Sequence, residues 1–464
     1  MRRASSQLCR ALLCGGSALL SMAPLASRGD DAMGVRALQA QIDTLRRDYD
    51  EKIRELTDRV RSAEDRARET EARAESSPKL LPAVEAPEPG RSRSANAFNP
   101  AISMILMGSY GRFSGKGGRR EIPGFLTGEA TGFPREGLSL DESELDISAN
   151  IDDQFYGFFD AAIDQADGSA SIDIEEAYLR TLALPAGLSL KAGQFFSAIG
   201  YHNALHAHTW AFLEPPLVYE ALLDTQFGDP GVQLTWVAPT DALYLELGSE
   251  VFSGQAFPAT GRGNEGLGAA SFFAKLGGDV GASHSWTAGV SYLLSNPRAR
   301  ETDDLSGVAR FRGDSNLLIA HLVWKWAPNG NYRRRNLQLQ AELLQRREAG
   351  SLQVSGPAGG VTRGRYSGTQ YGFYAQAVYQ FMPRWRVGLR YGQLDSNNSV
   401  RLAVPTQLGH DRQTPRRVSA MIDFSNSEFS RLRLQFSRDR ARRSRNAVFL
   451  QYIMSIGSHG AHQF

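Results

Sequence analysis

The chain has 464 residues, a formal charge of +2, 46 glycines and 9% aromatic residues. The near-zero net charge argues against a nucleic-acid partner. Beyond the N-terminus no apolar run approaches the ~18 residues of a membrane-spanning helix. A transmembrane β-barrel stays possible on composition, because only alternate residues of its strands face lipid.

Residues 1–26 have the layout of a secretory signal peptide. Two arginines precede an apolar run over 11–25, and a processing site is predicted at Ala26. Both cysteines, Cys9 and Cys14, lie in this segment. The mature chain is therefore expected to be exported and to contain no disulfide.

Residues 33–75 carry apolar side chains at heptad spacing, with one four-residue stutter near Tyr49. The remaining positions are mostly charged, so the apolar stripe predicts self-association as a periplasmic coiled coil. A lone charged spacer helix is the alternative. Four prolines in 76–97 predict an extended linker to the rest of the chain.

A hairpin over 365–394 shows the pattern that recurs through the rest of the chain. Every second residue from Tyr371 to Phe381 is apolar or small, and polar residues and glycine predominate between them. Apolar residues from Trp385 to Tyr391 alternate with arginine and glycine. This period of two predicts β-strands. Aromatic residues at the ends of the apolar face are typical of an outer-membrane barrel, whose polar face lines a wet lumen.

The same unit predicts an all-β transmembrane barrel of about sixteen antiparallel strands over 98–464, preceded by the α-helical coiled coil. The predicted strands are 101–113, 138–151, 155–164, 172–183, 188–196, 230–238, 242–253, 268–277, 284–295, 315–327, 336–346, 366–381, 385–394, 416–425, 429–437 and 446–456.

Short links alternate with long ones between these strands, as in outer-membrane barrels with short periplasmic turns and long outer loops. The basic turn between the last two strands, with arginines from 438 to 445, is expected on the outer side, where it would meet lipopolysaccharide phosphates or solvent. The long links lie near 114–137, 197–229, 254–267, 296–314, 347–365 and 395–415.

The chain ends in an alternating strand and a terminal aromatic residue, Phe464, which fits a signal for the barrel-assembly machinery. Together with the heptad region, the segments 98–110, 138–159 and 174–210 and the ending GSHGAHQF resemble the outer-membrane siderophore porins, typified by the legiobactin receptor. The resemblance covers nearly the whole mature chain. It implies uptake of a ferric siderophore without an energised plug.

The alternation also predicts which charged side chains face the lumen. They could orient dipolar solutes by a transverse field, or they could only hydrate the pore and brace its wall. An acidic wall is predicted from Glu142, Glu144, Asp146, Asp160, Asp164, Asp173 and Glu175. A basic wall, expected on a different side of the lumen, is predicted from Arg386, Arg390, Arg417, Arg431 and Arg433.

The loop over 197–229 is too aromatic for a solvated outer loop, so we expect it to fold into the barrel and narrow it. Its candidate ligand-binding residues are His202, His206, His208, Trp210 and Glu214. His206 and His208 could hold a divalent metal with Glu214. Packing or hydrogen-bonding roles for these histidines, or aromatic contact with a passing solute, are the alternatives.

No catalytic residue or cofactor is predicted. The chain lacks a glycine-rich phosphate loop, a G-x-S-x-G elbow and an H-E-x-x-H motif. A plugged, energised receptor of about 22 strands would need more residues than follow Phe98. 

The sequence predicts a homotrimeric porin in the outer membrane of a Gram-negative bacterium, with its coiled coil in the periplasm. Its partners would be membrane lipid, lipopolysaccharide and the assembly machinery, and its cargo a small hydrophilic solute such as a ferric siderophore or metal chelate. A general, sugar or organic-anion porin and a structural tether are the alternatives.

Overall fold

The computed structural model describes residues 100–114, 122–131, 136–166, 169–241, 243–259, 266–409, 413–440 and 444–457, without the side chains of 164–166, 169, 170 and 444. The predicted signal peptide, coiled coil and linker, Phe464 and part of the basic turn lie outside these ranges. Among the described residues, no helix combines the length and apolar character that crossing a membrane requires.

Within these ranges, eighteen strand segments form one antiparallel sheet. They are β1 (Ala101–Phe113), β2 (Gly137–Leu140), β3 (Ser143–Asn150), β4 (Phe155–Ala166), β5 (Ser169–Thr181), β6 (Leu188–Phe196), β7 (Gly228–Val237), β8 (Tyr244–Phe252), β9 (Ala269–Val280), β10 (His284–Ser295), β11 (Arg300–Asp304), β12 (Gly307–Trp326), β13 (Asn336–Ser355), β14 (Val361–Met382), β15 (Trp385–Arg401), β16 (Arg416–Ser427), β17 (Ser430–Arg440) and β18 (Ser444–Gly457).

The sheet closes on itself because β18 pairs with β1 from Ser103↔Gly457 to Phe113↔Ala447. Two wall strands are interrupted: β2 and β3 both pair with β1, and β10 and β11 both pair with β12. The wall therefore has sixteen strands, each paired with its sequence neighbours. The predicted closed antiparallel barrel of sixteen strands is confirmed.

The exposure of the side chains is inverted relative to a water-soluble protein. In β17, Leu432, Leu434 and Phe436 are 41–49% exposed, whereas Arg433 and Gln435 between them are 1% exposed. A continuous outer face of this kind requires lipid as its solvent. The period of two thus places apolar residues against the membrane and polar residues in the lumen.

The wall from β12 to β15 is taller than the sequence predicted. The regions 296–314 and 347–365, expected as outer loops, are mostly strand. Their inner face is covered by the segment 122–131, whose Leu126 packs against Phe311 and Leu352. The strands extend there because the segment 122–131 packs on their inner face. Their sequence has no lipid-facing apolar stripe that would predict this extension.

Gly124 fixes the segment 122–131 against this wall. Its carbonyl accepts hydrogen bonds from Gln370 Nε2 at 2.6 Å and Asn398 Nδ2 at 2.8 Å. Its φ is +86°, and a Cβ there would lie 2.1 Å from Ser396 Oγ. Only glycine fits both the left-handed conformation and the close approach.

One short α-helix, α1 (Leu217–Leu223), lies in the loop between β6 and β7. Single turns of 3₁₀-helix complete the described helical structure. They are Pro185–Gly187, His202–Ala204, Ala207–Thr209, Pro328–Gly330 and Gln407–Gly409.

Candidate functional site in the lumen

The loop over 197–227, here called the constriction loop, fills one side of the lumen. Every residue of α1 is buried. Leu217, Val218 and Leu222 belong to one apolar core with Leu344 of β13 and Leu394 of β15. This core inside the barrel explains the aromatic and aliphatic composition that is unusual for an outer loop.

The base of the constriction loop is closed by side-chain bridges. The Asn203 amide donates to the carbonyls of Ser197 and Phe227, both at 2.8 Å, and its oxygen accepts the Phe227 N–H at 2.8 Å. Glu250 of β8 accepts the Ala198 N–H at 2.9 Å and a hydrogen bond from Gln233 at 2.7 Å. The loop therefore leaves and returns to the wall at one fixed point.

Glu342 of β13 holds the first turn of the constriction loop. It accepts the N–H groups of Tyr201 and His202 at 3.0 and 2.9 Å, and the hydroxyls of Tyr219 and Tyr374 at 2.8 and 2.5 Å. Glu342 could not be identified from the sequence, because a single carboxylate on a polar face does not show what it will contact.

The acidic wall lies on β3, β4 and β5. Asp146 and Asp160 are directly paired across β3 and β4, so both face inward, as Glu144 does. Glu142 lies in the break between β2 and β3, with a carboxylate oxygen within 4.8 Å of oxygens of Glu144 and Glu175. These predicted residues are brought together.

A bulge in β5 places two consecutive glutamates at the acidic wall. The register shifts between Asp160 and Ala161, so that Glu176 pairs with Asp160 and Glu175 is the extra residue. Glu176 was missed because strict alternation assigns only one of two neighbours to the lumen. Asp173 also lies on β5, but its side chain is exposed. The backbone of Asp164 pairs with Ser171, and the side chain of Asp164 is not among the described residues.

His206 enters this acidic group from the constriction loop. Its Nδ1 lies 3.1 Å from Asp160 Oδ2, 3.6 Å from Glu175 Oε2 and 3.7 Å from Glu144 Oε2, and its Nε2 lies 3.1 Å from Glu176 Oε2. Burial disfavours a charged ring, but these carboxylates outweigh burial and raise the pKa of His206 well above its usual value.

His208 contacts the same wall. Its Nδ1 lies 2.6 Å from Glu144 Oε2, and its ring stacks on that of His206 with centroids 5.9 Å apart. Burial, followed by the positive charge of His206, lowers the pKa of His208 to about 3. The two histidines therefore differ in charge at neutral pH.

The other candidate residues of the loop lie apart from this group. His202 is buried between the rings of Trp210 and Tyr219, each at 4.9 Å. Glu214, expected to join the histidines at a metal, instead accepts a hydrogen bond from Ser437 Oγ at 2.8 Å and lies 3.8 Å from Arg417. Glu214 therefore cannot join His206 and His208 as a metal ligand in this arrangement, contrary to the prediction.

Three arginines of the basic wall hold the constriction loop. Arg390 donates to the Glu214 carbonyl at 2.7 Å, and Arg433 donates to the Trp210 carbonyl at 2.8 Å. Arg417 pairs with Glu220 of α1 at 2.5 Å. The sequence predicted that these arginines face the lumen. It could not show that their N–H groups would bind the constriction loop.

The expected separation of the two walls is only partly right. In the closed barrel only β18 and β1 lie between β17, which carries Arg431 and Arg433, and β3 with Glu144. Arg390 on β15 and Glu175 on β5, by contrast, are seven positions apart in the ring of sixteen strands. The walls therefore approach each other at one edge and lie nearly opposite at the other, and the constriction loop contacts both.

Arg386 and Arg431 remain directed toward open volume. They line a cavity of about 920 Å³ together with Arg390, on the side of the short turns that contain Arg333 and Arg384. Arg386 lies 2.6 Å from Asp423. Within the described residues, Arg386 Nε and Arg431 Nε and Nη1 are buried nitrogens without a hydrogen-bond partner. The cavity is thus lined by guanidinium groups, whereas these particular nitrogens are closed to solvent.

Comparison with known proteins found a matching family model and a similar protein. A family model described as "Putative beta-barrel porin-2, OmpL-like" matches residues 148–451. An uncharacterized protein of Aquifex aeolicus (strain VF5) is 31% identical over 405 residues, covering 80% of this chain and 81% of that protein.

Several solved outer-membrane proteins are similar in structure at low sequence identity. The trimer form of OmpT of Vibrio cholerae matches with a TM-score of 0.48 at 10% identity, covering 77% of this chain and 99% of that one. The channel DcaP of Acinetobacter baumannii matches with a TM-score of 0.47 at 13% identity, covering 77% and 97%. The anion-selective porin of Comamonas acidovorans matches with a TM-score of 0.45 at 11% identity, covering 77% and 99%.

Proposed function

Because the chain belongs to the β-barrel porin-2 (OmpL-like) family, we propose that it passes small hydrophilic solutes across the outer membrane by diffusion. We propose anionic metal chelates, such as ferric siderophores, as the preferred class of solute. Such transport requires neither catalysis nor a resident cofactor for its chemistry. The closed barrel with a polar interior and an inserted loop supports the transport role.

The cavity lined by Arg386, Arg390 and Arg431 carries the proposal for the solute. Its volume of about 920 Å³ lies in the range of ~300–1,000 Å³ that accommodates drug-sized molecules. Guanidinium groups bind carboxylates through directed, charge-assisted hydrogen bonds. An anion of chelate size would find both space and positively charged side chains there.

We expect the double variant Arg386→Gln/Arg431→Gln to weaken block of the channel by an anionic ferric chelate at least about tenfold. Each lost hydrogen bond to a charged group is worth roughly 1.5–3 kcal/mol. The measurement is ion current through single channels in planar bilayers, titrated with ferric citrate and with a ferric polycarboxylate siderophore.

Arg310→Gln is the matched control, because Arg310 is 53% exposed and pairs with Glu301 far from the cavity. The metal-free ligands separate the rival functions. Equal block by citrate without iron would identify an organic-anion porin. A current that is indifferent to every chelate would contradict the proposed solute and leave the porin in place.

We further propose that the chain assembles as a homotrimer whose predicted coiled coil, 33–75, lies in the periplasm. The heptad stripe supports this, because one helix alone would leave it exposed to water. Deletion of 33–75 is expected to convert the trimer to monomers on native gel electrophoresis in mild detergent. A trimer that survives the deletion would show that the barrel surface drives assembly.

Lipopolysaccharide is a proposed partner at the outer rim. Arg416, Arg438 and Arg440 are exposed on the outward face, and Arg416 is paired with Arg440 across β16 and β17. Neighbouring cations that face outward would favour phosphate groups of lipid.

A further inference from the structure

We propose that Glu144, Asp160 and His206, with Glu175 as a fourth donor, bind a resident divalent transition-metal ion that ties the constriction loop to the acidic wall. Ligand atoms of the first three residues lie within 4.8 Å of one another. This metal site is independent of the solute that the barrel transports.

The distances around His206 Nδ1 match a coordination sphere. Oxygens of Asp160, Glu175 and Glu144 lie 3.1, 3.6 and 3.7 Å from this nitrogen. Nitrogen and oxygen ligands about 2.0–2.1 Å from a tetrahedral zinc ion are about 3.4 Å from each other. The three oxygens therefore lie about as far from His206 Nδ1 as the ligands of one zinc ion lie from each other.

Several carboxylate oxygens at the site make no hydrogen bond to a described residue and could therefore coordinate a metal ion. Asp160 is fully buried, and neither of its carboxylate oxygens has a hydrogen-bond partner within the described residues. Glu144 is 1% exposed, and its Oε1 also lacks a partner there. A buried carboxylate without hydrogen bonds needs a nearby cation. The protonated His206 ring is one, 3.1 Å from Asp160, and a metal ion shared by several of these carboxylates would compensate more of their charge. Asp160 Oδ2 lies 3.1 Å from the ring nitrogen at which we place the ion.

The orientation of His206 is that of a metal ligand. Its Nε2 lies 3.1 Å from Glu176 Oε2, whereas its Nδ1 makes no aligned hydrogen bond to a described residue. Without a metal, the surrounding carboxylates favour a proton on Nδ1 as well. A metal ion would displace that proton, while Glu176 keeps the proton on Nε2 and fixes the plane of the ring. Glu176 is thus a positioning residue, and the bulge in β5 puts it next to Glu175.

The donor set selects the class of metal. One imidazole nitrogen with carboxylate oxygens suits first-row divalent ions such as Zn²⁺ or Mn²⁺, whereas Mg²⁺ and Ca²⁺ prefer oxygen alone. An ion there would neutralise several carboxylates of three strands and fix His206 to them. The edge of the constriction loop would then be held by a metal as well as by arginines.

The test compares two aspartates that lie opposite each other on adjacent strands. Asp146 and Asp160 are paired across β3 and β4, but only Asp160 belongs to the ligand group. Full-length protein in detergent is stripped with EDTA and dialysed against Zn²⁺ or Mn²⁺, and bound metal is counted by mass spectrometry. Heat-modifiable migration on gels shows that each variant is folded.

We expect one ion per chain in the wild type and at least a tenfold loss of affinity in Asp160→Asn and His206→Gln. Asp146→Asn should stay within about threefold of wild type, and Glu176→Gln should lose roughly 10–100-fold. X-ray absorption of the zinc-loaded protein should show a nitrogen and oxygen shell near 2.0–2.1 Å. Equal losses in Asp146→Asn and Asp160→Asn, or no retained metal in folded wild-type protein, would overturn the site.

Discussion

Replacing residues 199–225 with an Asn-Gly turn is expected to raise the single-channel conductance about threefold, since a sixteen-stranded barrel without an inserted loop encloses a wide aqueous channel. The ends of the constriction loop permit this deletion. The Ser197 N–H donates to the Phe227 carbonyl at 2.9 Å, directly beyond the last rung of β6 and β7. A two-residue turn of this type can close such a hairpin.

The physical reason is that the constriction loop displaces water from much of the lumen. Its helix α1 is wholly buried against β13, β14 and β15. Shortening the exposed turn Pro357–Gly359 between β13 and β14 is the control, because that turn lies away from the lumen core and should leave conductance unchanged. An unaltered conductance in the loop deletion, with the barrel shown to be folded, would mean that the constriction loop does not limit flow.

Glu342→Leu is expected to destabilise the seated conformation of the constriction loop by roughly 3–5 kcal/mol. The substitution removes the acceptor of four hydrogen bonds at a site that is 2% exposed. The N–H groups of Tyr201 and His202 and two tyrosine hydroxyls would remain buried without partners. The desolvation of these four hydrogen-bond donors dominates the cost.

Hydrogen exchange measures this prediction directly. The Tyr201 and His202 amides should exchange at least about a hundredfold faster in Glu342→Leu, and the open-channel current should become noisy. Glu342→Gln retains the shape and one acceptor oxygen, so its exchange should be intermediate. Wild-type exchange in the leucine variant would contradict an anchoring role for Glu342.

The wall of the barrel could be predicted from the sequence because lipid imposes a period of two on each strand. All sixteen predicted strands overlap observed strands, and the short links fall where expected. The outer ends of β12 to β15 could not be predicted in the same way, since there the strands leave the lipid. Around Glu348 and Gly350 charged and small residues replace the apolar stripe, and pairing alone extends the sheet.

For the interior of the barrel, the sequence predicted only which side chains face inward. Arg390, Arg417 and Arg433 lie on the inner face that alternation predicts, but each also binds a carbonyl or carboxylate group of the constriction loop. Those positions depend on how the loop packs, which no local pattern encodes. The bulge at Glu175 is a further example, because one extra residue changes which glutamates meet His206.

The most direct test of the transport role is the conductance of the purified wild-type protein in planar bilayers. We predict discrete current steps that open in groups of three, as expected for a trimer of open barrels. A preparation that is folded by heat-modifiable migration, inserts into the membrane and yet passes no current would contradict the porin, and would favour a barrel that only anchors the chain.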